Sequence, residues 1–320
     1  MTGGHLKFVW SAAAALVAGC LGACATTGPG AFNALPRDIS IAGSRIFPES
    51  LSADSLGTLY IGSNPGTIYR ARSGDTQAAP WIVPDAANGL QQVFGVLVDE
   101  PRGLLWICSN PARGASGSAA LRTFDLTSGA ARASYPFPAG PALCNDIAIE
   151  PGGRVYATDT VGGRIVTLAP GAHSLETWAA SADLRGVDGI ALGGGSLYVN
   201  NVQKNWLARV ARAADGTFAG LAMVATSLPL SGPDGLRALG GNRFLQAEGP
   251  GGRVALLTIR GDKARMLPLA TGIDYPASMV LVGRTLYVAE GKIGYLIDPA
   301  KRELDPGTFT VRAFAAPAGL

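Results

Sequence analysis

Hydrophobic and polar residues alternate with period two in six stretches of the chain, and each stretch turns over on a glycine-containing tetrad before alternating again. They read ESLSADSLGTLYIGS from residue 49, GVLVDEPRGLLWICS from 95, NDIAIEPGGRVYATD from 145, DGIALGGGSLYVNN from 188, DGLRALGGNRFLQA from 234 and ASMVLVGRTLYVAE from 277. Such alternation predicts half-buried strands, and the Gly, Asp, Asn and Pro between them predict tight turns, so each copy is a strand-turn-strand unit. The copies start 46, 50, 43, 46 and 43 residues apart, and most are followed by a second hairpin-like stretch such as GTIYRA, GRIVTLAP or WLARVAR. Four short strands per repeat at this period predict a β-propeller blade, and six repeats predict an all-β, six-bladed ring over residues 37–320. A closed ring also hides the strand edges that an open sheet would expose.

Composition agrees with this picture. The 320 residues include 44 Gly and 21 Pro, are 48% hydrophobic and only 15% charged, and so suit a turn-rich globular chain. The net charge of +3 comes without a basic run, which excludes an electrostatic footprint for nucleic acid. His5 lies in the leading segment, so His173 is the one histidine left to the body, which argues against a Ser-His-Asp triad or a HExxH zinc site, and there is no phosphate-binding loop sequence.

The start of the chain differs from the rest. A lysine precedes the short apolar stretch FVWSAAAALVAG, as in a signal peptide, and the stretch is shorter than the roughly 20 residues a membrane span needs. Val17-Ala18-Gly19-Cys20 resembles a bacterial lipobox, with Leu21-Gly22-Ala23-Cys24 as an alternative, so residues 1–24 are expected to be a signal and lipidation region with Cys20, or else Cys24, carrying the lipid. Leu21, where an Asp would favour inner-membrane retention, points to a periplasm-facing outer-membrane lipoprotein; secretion to the periplasm is the alternative. The Gly, Pro, Thr and Ala of 25–36 predict a flexible tether. The membrane is then met only through this anchor, and the body is expected to be a monomer. Its two cysteines, Cys108 and Cys144, could pair in an oxidising compartment.

In a propeller the first strand of each repeat faces the axis, so its first position forms a ring: Glu49, Gly95, Asn145, Asp188, Asp234 and Ala277. Each polar member has a local explanation, since Asp-Gly is a turn dipeptide and Asn caps turns. Their coincidence at one register argues for more. Three carboxylates in a semi-enclosed channel repel unless protons or a cation offset them, and oxygen-only donors suit Ca²⁺, with Mg²⁺, Mn²⁺ or Zn²⁺ as alternatives. A second ring, three residues after each aromatic, contains Ser63, Ser109, Asp159, Asn201, Ala247 and Glu290, with Asn64, Asn110, Asn200 and Glu248 beside it. It is expected either to form a substrate rim or to be the solvated end of the sheets.

Glu49, Asn145-Asp146, Asp188-Gly189-Ile190 and Pro233-Asp234-Gly235-Leu236, in that order, resemble the gluconolactonase and regucalcin (senescence-marker protein) family over about residues 36–315, and more distantly the diisopropylfluorophosphatase, paraoxonase and strictosidine synthase propellers. The resemblance implies a divalent cation on the axis held by Glu49, Asn145, Asp188 and Asp234, with Asp234 as the catalytic Asp and Asn145 contacting metal or substrate. Asp188 departs from the Asn common in the family. The expected activity is hydrolysis of a small lactone or ester, with Asp234 or Asp188 as general base. A non-catalytic periplasmic ligand-binding propeller with a structural Ca²⁺ and a phosphotriesterase-like hydrolase are the competing expectations.

Overall fold

The computed structural model describes residues 1–5, 36–112 and 115–320. Cys20, Cys24 and the tether fall outside the described residues. Pro36–Leu320 is one compact unit.

Among the described residues the secondary structure is almost wholly β; helix is limited to Gly294–Ile297 and two single 3-10 turns, and no helix is long and apolar enough to cross a membrane. The strands pair as successive four-stranded antiparallel meanders. In the first, Pro48–Ala53 pairs with Leu59–Ser63, which pairs with Ile68–Ala71 and then Gln77–Ile82. Meanders starting at Gln92–Asp99, Cys144–Ile149, Val187–Gly193 and Pro233–Gly240 repeat this order. The last contains Pro276–Val282, Thr285–Glu290 and Thr310–Ala315, and its outer strand is Ile39–Ile41 from the beginning of the unit, paired antiparallel with Ile39 opposite Val311. Parallel bridges between outer strands join neighbouring meanders, so some strands are linked into eight-stranded sheets.

The first strand of each meander touches the first strand of the next, and the last such strand touches the first. A β-propeller arranges its sheets in this way.

The alternation seen in the sequence explains why the sheets stack. One face of each strand packs against the preceding sheet and the other against the following one, so both faces bury apolar residues. Ile61 and Leu51 pack with Phe309 and Val311 of the last sheet, while Tyr60 and Ile68 on the opposite side pack with Val96 and Leu105 of the second. The core is therefore distributed as a series of layers. The repeat aromatics Tyr60, Trp106, Tyr156, Tyr198 and Phe244 are buried in these layers.

Candidate functional site

Among the described residues, each first strand of a meander loses its regular pairing at the residue expected to face the axis. The register breaks between Pro48 and Ser50, Val93 and Val96, Cys144 and Ile147, Val187 and Ile190, Pro233 and Leu236, and Pro276 and Ser278. These are β-bulges, which kink a strand and re-aim its side chains. Glu49, Asn145, Asp188 and Asp234 occupy four of them, with Gly95 and Ala277 in the others, and all six line one small central cavity.

The glycine of each Asp-Gly pair serves this packing. A Cβ on Gly189 would collide with the Asp234 carbonyl, and one on Gly235 with the Ala277 carbonyl, because the bulged backbones meet there without room for a side chain. Side chains of the second strands hold the bulges in place. Thr158 donates to the Asp188 carbonyl (2.6 Å), and Asn200 donates to the Asp234 carbonyl (2.7 Å) while accepting from the Gly189 amide (2.8 Å). Asn110 clamps the third inner strand through both the amide and the carbonyl of Cys144 (2.8 Å each). Cys108 and Cys144 form a disulfide between neighbouring meanders, their Cα atoms 5.1 Å apart.

The acids are crowded: Asn145 Nδ2 donates to Asp188 Oδ2 (2.9 Å), and Asp234 lines the same small cavity as Asp188. Burial raises the Asp188 carboxyl well above the ordinary range, and the charges of Asp146 and Glu49 push it further. Asp234 is raised for the same first reason and then by Asp188. Burial lifts Glu49 to about 7 against an opposing hydrogen bond from Asn64. A larger, upper cavity lies over the acids and is also lined by Glu49, Asp188 and Asp234; Asp188 is buried, whereas Glu49 and Asp234 are partly exposed.

Asp188 Oδ1 is buried with no hydrogen-bond partner, and an orphaned carboxylate oxygen among oxygen donors fits a hard cation. The donor chemistry therefore fits, although the acids are not gathered into ligating distance: no group of three His, Cys, Asp or Glu among the described residues stands in metal-binding geometry.

Arg237 is the cation that the sequence analysis did not single out. Its Nη1 donates to both Asp146 oxygens (2.9 and 2.8 Å) and to the Leu236 carbonyl (2.9 Å), and its Nη2 reaches Ser50 Oγ (3.4 Å). Asp146 also accepts from the Ile147 and Ile190 amides (2.9 and 3.1 Å). Arg237 lines both the small cavity of the axial acids and a second cavity of about 490 Å³. A signal was present: three residues after the axial position the other copies carry Ser52, Val98, Ala148, Ala191 and Val280. Tyr275 was also missed, because it lies just outside a repeat. It holds a left-handed backbone (φ 59°) and lines the upper cavity, and burial followed by the charge of Asp234 raises its hydroxyl so that it stays protonated.

The second ring does not form the rim. Asp159 accepts from the Leu143 and Gly162 amides (2.9 and 2.8 Å) and pairs with Arg164 (2.7 Å). Glu248 pairs with Arg253 (2.6 Å) and accepts from the Ser231 amide, and Glu290 pairs with Arg312 (3.3 Å) and accepts from the Asp274 amide. Asn201 accepts from the Gln203 and Lys204 amides, Ser109 accepts from the Gln91 amide, and Ser63 donates to the Thr67 carbonyl. Ala247 is buried in the core. These side chains brace the loops at the strand ends, where unpaired amides need acceptors. The residue one step further on lines the cavity instead: Asn64, Thr160 and Val202.

No protein-family model matches the chain, and no curated protein matches it in sequence. Solved structures do match. A candidate gluconolactonase superposes with a TM-score of 0.63 at 16% identity, covering 88% of this chain and 94% of that one. A luciferin-regenerating enzyme gives 0.63 at 15% identity, covering 89% and 96%. Virginiamycin B lyase from Staphylococcus aureus gives 0.58 at 17% identity, covering 80% and 81%. At these identities the likeness gives the fold, a β-propeller, and the chemistry must be argued from the site.

Proposed function

We propose that the chain is a six-bladed propeller hydrolase of small lactones or esters that works with a divalent cation, Ca²⁺ in the first instance. The observation that carries this reading is the convergence of Glu49, Asn145, Asp188 and Asp234 from four inner strands on one cavity, with Asp188 Oδ1 left unpartnered. A structural neighbour named as a candidate gluconolactonase supports it. Glu49, Asn145, Asp188 and Asp234 would hold the cation, which when bound supplies Lewis-acid polarisation of a carbonyl.

The rest of the chemistry belongs to side chains. The carboxylate of Asp234, open to the upper cavity, takes a proton from the attacking water as its oxygen bonds to the acyl carbon. The ring C–O bond then breaks, and the departing alkoxide takes that proton from Asp234. Tyr275, kept protonated by its surroundings, is a donor beside the same cavity. Asn145 Nδ2, tied to Asp188 Oδ2 and Thr160 Oγ1, orients the Asp188 carboxylate. The lipobox-like start fits a place at the periplasmic face of the envelope.

The test is to purify the protein, measure bound metal, and follow acid release from panels of lactones, esters and phosphotriesters. Turnover should need the cation and fall at least about a hundredfold in Asp234→Ala, in line with the loss of a general base. Full activity in that variant or after thorough chelation overturns the reading. Saturable binding without turnover would instead favour a ligand-binding propeller.

A further inference from the structure

The cavity above the acids holds about 660 Å³, and its walls differ in kind from its floor. Phe94, Leu143 and Val202 line the sides, and the crossover between Thr285–Glu290 and Thr310–Ala315 adds Ile293, Leu296 and Ile297 from the short helix and its N-cap. Ile297 is 63% exposed, a large aliphatic side chain left uncovered at the mouth.

The polar wall groups are largely engaged with one another. Gln92 Nε2 donates to Asn64 Oδ1 (3.2 Å), Asn64 is hydrogen-bonded to Glu49, and Thr160 Oγ1 donates to the Val187 carbonyl (2.7 Å) while accepting from Asn145. Besides the Tyr275 hydroxyl, the remaining polar wall group is Arg302, exposed at the rim. A polyhydroxylated lactone brings several hydroxyls out of water, and each one left unpaired costs about 1–3 kcal/mol. An alkyl or aryl substituent needs no such partners and gains from every apolar atom it buries.

We infer that the ligand this cavity takes is a lactone or ester bearing an apolar substituent, laid against the wall formed by Ile293, Leu296 and Ile297, and not a sugar lactone. The reacting group in this inference rests on the hydrolase reading; the preference of the wall does not. Non-hydrolysable lactams with alkyl chains of increasing length provide a readout free of turnover. Measured by calorimetry on the whole protein, their affinity should rise about two- to fourfold per methylene, the ceiling being full burial of each CH₂. Leu296→Ser and Ile297→Ser should flatten that rise, and Ile297→Ser touches a side chain exposed enough for the fold to tolerate the change. Affinity independent of chain length, or tighter binding of a polyhydroxylated lactam, overturns the inference even if the protein hydrolyses lactones. A chain-length dependence without hydrolysis of any ester supports the wall's preference and instead removes the hydrolase reading.

Discussion

The guanidinium of Arg237 lies on both carboxylate oxygens of Asp146, two residues 91 positions apart whose strands belong to different meanders. The pair fills the channel next to the axial acids. It settles which carboxylate near the axis already has a cation. Asp146 is neutralised within the protein, while Glu49, Asp188 and Asp234 have no Lys or Arg on them among the described residues.

Arg237→Leu should destabilise the protein by about 3–5 kcal/mol, since it leaves a buried carboxylate without its partner. Asp146→Asn combined with Arg237→Leu should recover more than half of the loss, because the Asn side-chain oxygen can still accept from the Ile190 amide. Denaturant midpoints measure both. Equal destabilisation in the single and double variants would show that the ion pair has no such role.

The protein stripped of cations should lose stability as the pH rises. Glu49 goes from an ordinary value of 4.5 to about 7 on folding, and Asp188 and Asp234 move in the same direction, so the folded state binds more protons than the unfolded one. That stability is complete below the unfolded value and is lost as the pH passes through the folded one. For Glu49 alone the change is worth about 3 kcal/mol. The melting temperature of chelated protein should therefore fall between pH 5 and pH 8 by this linkage. Added Ca²⁺ should restore it most strongly at the alkaline end, where the acids are ionised. A melting temperature that rises over this interval without cation contradicts the assignment of these groups.

Reducing the Cys108–Cys144 bridge, or replacing both residues with Ser, should cost about 2–4 kcal/mol through the freed unfolded chain, given a sequence separation of 36. Because Cys144 directly precedes Asn145, cation affinity should weaken in parallel with stability. Thermal melts with and without reductant, repeated across a Ca²⁺ titration, separate the two effects. No change on reduction would mean that the clamp from Asn110 suffices alone.

Much of this architecture was legible in the sequence because a propeller repeats its instructions. Period-two alternation locates the inner strands, and the recurrence of one register brings Glu49, Asn145, Asp188 and Asp234 together from the sequence alone. The bulges were not legible. The Gly of Asp188-Gly189 reads locally as a turn residue, yet it is required by the approach of the Asp234 carbonyl from the next meander. The second ring was placed one residue early for a related reason: the alternation that points inward along a strand ends with the strand, and there Asp159 and Glu248 turn to the loop amides and Arg partners beside them. Tyr275 and the wall of Ile293, Leu296 and Ile297 lie outside the repeat, where no periodicity marks them.

The strand Ile39–Ile41 completes the sheet made by the last residues of the chain, joining Ile39 to Val311 across 272 positions. A loop of that length closes at a high entropic cost, and a growing polypeptide cannot close it until Thr310–Ala315 has been synthesised. Until then the first sheet, which carries Glu49, has no lasting neighbour on one side. The acids that come together on the axis thus belong to a site assembled last, when the two ends of the folded unit meet.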